Sequence, residues 1–167
     1  MEPASSDKRS TEFLPAYLSS GLLCKTDKKI GLEYERIPLI KVTNQVAKYD
    51  GEYGICEMLR EFAKTDNWDY ILDDVNIIGL KKIHDTITLE PGCQVELSLE
   101  PQEFIRDLKK RVEEIDSVMQ PILDKFGIKL INKGVSPTTT YKNIKLLPKR
   151  RYHPVSYTHL TLPTIRL

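Results

Sequence analysis

The sequence predicts an α+β fold, a largely antiparallel sheet with helices on one face, and three observations predict it. Residues Thr86 to Leu99 alternate apolar and polar side chains around Pro91-Gly92-Cys93, the signature of a hairpin with one buried face. Residues 101–126 then place apolar side chains at helical spacing, which gives a long amphipathic helix. The period switches between two and 3.6 along the chain without any internal repeat, so strands and helices are segregated in one layered domain.

Taken in order, residues 1–9 are charged and Ser-containing and read as a disordered N-terminus. A short helix is expected from Ser10 to Leu23, with Phe13, Tyr17 and Leu18 on its apolar side. Lys29 to Val42, rich in Ile, Leu, Val and Tyr, reads as a strand. Tyr53 to Lys64 carries Ile55, Met58, Leu59 and Phe62 at helical spacing and makes a second helix. From Trp68 the period is two, through Val75 and Ile77 and then Ile83, Ile87 and Leu89, interrupted by Gly79 and by His84-Asp85. That predicts strand, turn, strand.

A three-residue loop at Pro91-Gly92-Cys93 pairs Glu90 with Gln94, Leu89 with Val95, Thr88 with Glu96, Ile87 with Leu97 and Thr86 with Ser98. One face is then wholly apolar (Ile87, Leu89, Val95, Leu97, Leu99) and must be covered by helices. The other is wholly polar and free to line a cleft or meet water. The long helix has Pro101 in its first turn, a stripe from Phe104 to Phe126, a kink at Pro121 and a stop at Gly127. Ile128 to Ile131 is a further strand and Gly134 to Thr140 a loop. Residues 155–167 break with everything before them. A DNA string that encodes Val155 to Thr164 in order resembles a sequencing-library transposase adapter read in frame, the alternative being a natural disordered C-terminus. The expected organisation is a domain over 10–154 and a non-native tail over 155–167.

Composition narrows the function classes. The chain has 25 basic and 24 acidic residues, a net charge of +1, so no global field steers it to nucleic acid or to a membrane surface. No apolar run approaches the ~18 residues of a membrane span, and Met1 to Ser10 is polar where a secretory signal is apolar. The expectation is a soluble, cytoplasmic protein. Cys24, Cys56 and Cys93 are odd in number and widely spaced; they indicate neither a disulfide framework nor a zinc site and read as small buried hydrophobes. His84, His153 and His159 stand alone, and none of the glycines forms a phosphate-binding loop.

Three groups of residues bear on chemistry. Glu33 and Glu35, two apart on a strand, share a face. Glu90 and Glu96 lie together on the polar face of the hairpin. If the two pairs come from neighbouring strands they form an oxygen-rich cradle suited to a hard cation such as Mg²⁺; otherwise they are a solvated outer face, the commoner arrangement. The basic run Lys142, Lys145, Lys149, Arg150 and Arg151 contains no acid and is either a phosphate or carboxylate clamp or a solvated loop.

These residues also resemble a known family. Ile30-Gly31-Leu32-Glu33-Tyr34-Glu35 is similar to the "IG-E-E" strand of the plant and proteobacterial type of glutamate–cysteine ligase. Residues 88–98, TLEPGCQVELS, resemble its "sLEPGGQ-ELS" hairpin. Gly127-Ile128 with Gly134 to Pro137, and Pro148 to Tyr152, resemble its "GI…G--P" and "MPK-RY" segments. The resemblance implies part of a glutamine-synthetase-like catalytic domain. It further implies ATP-dependent ligation of the γ-carboxylate of L-glutamate to L-cysteine through a γ-glutamyl phosphate, the first step of glutathione synthesis. Glu33, Glu35, Glu90 and Glu96 are then implied metal ligands for Mg²⁺, and Gln94, Lys149, Arg151 and Tyr152 substrate-binding residues; no catalytic base is assigned. The partners implied are ATP and the two amino acids, with no nucleic acid and no membrane. Three positions depart from the family pattern: Cys93 stands for a Gly, Leu99-Glu100-Pro101 for Gly-Ala-Pro, and Leu147 for a Met. Because the family's later segments complete the nucleotide and cysteine sites, the chain is expected to be an incomplete, inactive fragment. A sister carboxylate–amine ligase and a non-enzymatic binding domain are the alternatives.

Overall fold

Six strands and two helices make up most of the described part of the computed structural model, which covers residues 28–139 and 147–152 together with Pro15, Tyr17 and Ser19, themselves helical. The expected N-terminus over 1–9, the tail over 155–167 and most of the helix over Ser10 to Leu23 lie outside those residues. In chain order the elements are β1 (Ile30–Ile40), α1 (Ile55–Asp66), β2 (Asp69–Asp73), β3 (Asn76–Lys82), β4 (Asp85–Glu90), β5 (Gln94–Gln102), α2 (Ile105–Lys125) and β6 (Ile128–Ile131). The sheet order is β2-β3-β4-β5-β1-β6, and every pairing is antiparallel. This is the expected α+β arrangement.

The central hairpin has the register that alternation demands: Glu90 opposes Gln94, Thr88 opposes Glu96 and Thr86 opposes Ser98. Ile87, Leu89, Val95, Leu97 and Leu99 are buried in one core with Met58, Leu59 and Phe62 of α1 and Ile115, Met119 and Leu123 of α2. Helix α1 ends at Asn67, whose left-handed φ of 54° closes the last turn. Helix α2 ends before Gly127, with φ 63°, and runs continuously through Pro121.

Three expectations need correction. The stretch after Trp68 holds three strands, not two, because Asp74-Val75 and Ile83-His84 are two-residue turns between paired residues. Asp74 and Ile83 take the left-handed φ such turns require (57° and 58°). Neither turn carries the Asn-Gly or Asp-Gly that announces one, and Val75 and Ile83 point into solvent instead of the core. Pro101 lies in β5, at an irregularity in the β1–β5 register, instead of in the first turn of α2. A residue without an N–H is tolerated at such a bulge. The stripe of α2 accordingly starts at Leu108, with Phe104 and Ile105 exposed.

Gly79, expected to interrupt a strand, sits inside β3. A Cβ there would come within 2.5 Å of the Ile87 carbonyl oxygen, so the missing side chain is what lets β3 and β4 approach.

Candidate active site: an acidic sheet face

Strand β1 lies beside β5, which settles the neighbour relation the acidic pairs depended on. Glu35 stands directly opposite Glu96, and Glu33 opposite Ser98; residues opposed across an antiparallel pair share a face. Because Glu96 in turn opposes Thr88 and Gln94 opposes Glu90, all four glutamates lie on the side of the sheet opposite α1 and α2. Glu33 and Glu35 are exposed, while Leu32 and Tyr34 between them pack against the core. The next residue, Arg36, turns to the helix side, where it is buried and donates to Asp116 Oδ1 at 2.7 Å.

The four carboxylates are held differently. Glu96 accepts hydrogen bonds from two neutral groups, Thr88 Oγ1 at 3.3 Å and Ser98 Oγ at 3.1 Å. Both hydroxyls come from the polar parity of the hairpin, a signal present in the sequence but not read as part of the site. Glu90 is enclosed by the basic segment: Tyr152 OH donates to it at 3.0 Å, Lys149 Nζ at 3.3 Å and Arg151 Nη2 at 3.4 Å. Three of the expected substrate-binding residues thus gather on a glutamate. Gln94, the fourth, donates to the Pro91 carbonyl at 3.5 Å across the hairpin turn.

The basic segment is anchored from both ends. Leu147 and Tyr152 enter the core. Arg150 donates its backbone N–H and its Nε to Asp73 at the end of β2, and these two bonds hold the Asp73 carboxyl below its ordinary range. This clasp was not foreseen, since nothing local links residues 73 and 150. Lys142 and Lys145 lie outside the described residues.

Cys93, in the turn beside this face, is buried and has φ 64°. The departure from glycine therefore falls where glycine is favoured, at a cost on the order of 1 kcal/mol. Burial pushes its thiol up to about 12, consistent with a packing role and not a nucleophile. A separate cleft of about 570 Å³ lies on the helix side, between the Ile83-His84 turn and α2. Its buried acid, Asp85, already accepts from the Glu100 N–H and from Arg111 Nε.

Among the described residues, no three carboxylate, His or Cys side chains already converge on one point as a closed metal shell would require. What the face offers is a row of oxygen donors, Glu33, Glu35 and Glu96, to which no Lys or Arg among the described residues is bonded. Two carboxylates ~5 Å apart repel by about 1 kcal/mol in water and about 3 kcal/mol at an effective dielectric of 20. A hard divalent cation relieves that repulsion and prefers such oxygens, so these three residues fit one. Glu90 fits less well, because Lys149 and Arg151 already answer its charge.

The described residues form an antiparallel sheet with α1 and α2 on one face and, on the other, a carboxylate row bordered by cationic side chains. The particular family is given by sequence comparison: residues 29–161 match Glutamate-cysteine ligase family 2, and the chain belongs to that family. It is 34% identical over 141 residues to the chloroplastic glutamate–cysteine ligase of Nicotiana tabacum, covering 84% of this chain and 26% of that protein. To glutamate–cysteine ligase A, chloroplastic, of Oryza sativa subsp. japonica it is 34% identical, with 84% and 28% covered. For the chloroplastic enzyme of Arabidopsis thaliana the figures are 33%, 84% and 26%. The chain thus spans about a quarter of the length of these relatives.

The relatives' names also correct the expectation of a cytoplasmic protein, because they point to the plastid. The reasoning failed for a physical reason: plastid transit sequences are polar and Ser-rich, so a polar start does not speak for the cytoplasm. Among the described residues, no helix is long and apolar enough to cross a membrane.

Proposed function

We propose that this chain forms the metal and glutamate side of an ATP-dependent ligase that joins the γ-carboxylate of L-glutamate to the amine of L-cysteine. The observation that carries the reading is the pairing of Glu35 with Glu96, and of Glu33 with Ser98, on the sheet face opposite α1 and α2 of a chain belonging to the glutamate–cysteine ligase family. In this reading the γ-phosphoryl group of ATP passes to a γ-carboxylate oxygen and ADP departs. The amine nitrogen then attacks the acyl carbon, loses its proton, and phosphate leaves.

Both reactants of the first step are anions, and Mg²⁺ bound at the face would supply the charge neutralisation that lets them meet. Glu33, Glu35 and Glu96 would hold it. Thr88 and Ser98 orient the Glu96 carboxylate from below, and the buried helix side keeps the three strands in register. Glu90 stands at the margin, balanced by the cationic segment, where Arg151 presents donors to a phosphate or carboxylate.

The test is Mg²⁺-dependent ADP release, with both amino acids present, from a gene product of the relatives' full length. Glu96→Gln preserves shape and removes one donor charge, and should lower turnover by at least 100-fold with folding intact. Unchanged turnover would return the acidic face to a solvated surface.

A further inference from the structure

Lys149 and Arg151 meet the same two oxygens from opposite sides. Both donate to Glu90 Oε1 and to the Tyr152 hydroxyl, Lys149 at 3.3 and 3.4 Å and Arg151 at 3.4 and 3.5 Å. Their surroundings differ sharply: the Lys149 side chain is 5% exposed and that of Arg151 66%. Lys149 also donates to the backbone carbonyl of Leu89, the residue before Glu90 in β4.

An ammonium has three N–H donors and no more, whereas a guanidinium has five in a planar fork. Lys149 spends all three, on Leu89, Glu90 and Tyr152. Arg151 directs one nitrogen at this cluster and keeps the rest of its fork toward solvent. Supplying a new anion from Lys149 would mean stripping a buried cation of a partner it already has, which is costly.

We propose that Lys149 is a positioning residue. It fixes the Glu90 carboxylate, the Tyr152 phenol and the end of β4 in one arrangement, and leaves the receipt of an anionic group to Arg151 alone. The proposal rests on the ligase reading for what Arg151 receives, but not for what Lys149 does.

The two parts separate in one experiment on this chain, using ¹H–¹⁵N spectra of side-chain ammonium and guanidinium groups. Exposed ammonium protons exchange with water too fast to be seen, while a triply bonded buried one is protected. Lys149 should therefore give a resolved Nζ signal without any ligand, unlike Lys109 and Lys110, whose side chains are 75% and 77% exposed. Adding Mg²⁺ with inorganic phosphate as the probe should move the Arg151 Nε signal and leave Lys149 in place. Arg151→Gln should abolish the phosphate-induced shift of the neighbouring Tyr152 backbone amide that the unsubstituted chain shows, while keeping the Lys149 signal, which a loss of fold would not do. An absent Lys149 signal, or one that phosphate displaces, would overturn the proposal. A protected, unmoved Lys149 beside an Arg151 indifferent to phosphate would uphold the positioning role and overturn the assignment of the anionic group to Arg151.

Discussion

Glu96 and Glu90 belong to the same hairpin, face the same way, and have opposite electrostatic situations. Glu96 faces a second carboxylate, Glu35, and is steadied by two hydroxyls. Glu90 is met by two cations and a phenol. The side a residue faces follows from parity along its own strand, but its partners come from wherever the chain returns, here from residues about sixty positions later. One glutamate stands opposite a like charge and the other is bonded by two cations. That contrast separates a place for a cation from a place that holds the structure around it.

The largest expected effect breaks the supplied half. Lys149→Met leaves the Glu90 carboxylate and the Leu89 carbonyl without their buried donor, and should lower stability by about 2–4 kcal/mol in a urea titration. The same change at exposed Arg151 should leave the midpoint nearly unmoved. Comparable losses at the two positions would erase the distinction between them.

Removing charge from the other half should have the opposite sign. Without divalent cation, Glu96→Gln or Glu35→Gln relieves like charges placed directly opposite, and each should raise stability by about 0.5 kcal/mol. With both changed, the second should add less than the first, since one substitution already removes the repulsion. A loss of stability at Glu35→Gln, which removes no described hydrogen bond, would show that the opposed carboxylates do not repel.

Much of this comparison was legible in the sequence. The hairpin register, both of its faces and the shared parity of Glu33 and Glu35 follow from a strict period of two, which a one-residue slip would invert. What alternation cannot supply is adjacency: β1 lies next to β5 through a connection of more than fifty residues, and only the family resemblance hinted at it. The enclosure of Glu90 was hidden for the same reason. Val75 and Ile83 were misplaced because apolar residues occupy turn positions that usually announce themselves with Asn or Gly. Pro101 was misplaced because a proline before a helix reads as its first turn, while here it sits in a bulge.

Two smaller effects refine the border of the site. Arg150 lowers the Asp73 carboxyl through two hydrogen bonds. This contact therefore favours folding above the ordinary Asp range and is lost as pH falls through it. Arg150→Ala should return Asp73 to ordinary titration by ¹³C NMR and weaken the protection of residues 147–152, leaving Glu96 untouched.

The smallest effect concerns Cys93, whose thiol is pushed up to about 12 by burial. Its folded value lies above the unfolded one near 8.5, so its contribution is fully present at neutral pH and fades between about pH 9 and 12. Cys93→Ala should flatten that part of the stability profile, and the native thiol should resist alkylation at pH 8. Rapid native labelling would show the turn to be open.

On the reading proposed above, the face of β1 and β5 opposite α1 and α2 takes a divalent cation through Glu33, Glu35 and Glu96, while Glu90 is already met by Lys149 and Arg151. A Mg²⁺ titration of this chain followed by the side-chain carboxyl ¹³C signals tests it most directly. Glu35 and Glu96 should shift together along one saturating curve, with Glu33 following and Glu90 least affected, and Glu96→Gln should weaken the affinity at least tenfold. A uniform, unsaturable drift of all exposed carboxylates, or a response confined to Glu90, would contradict it.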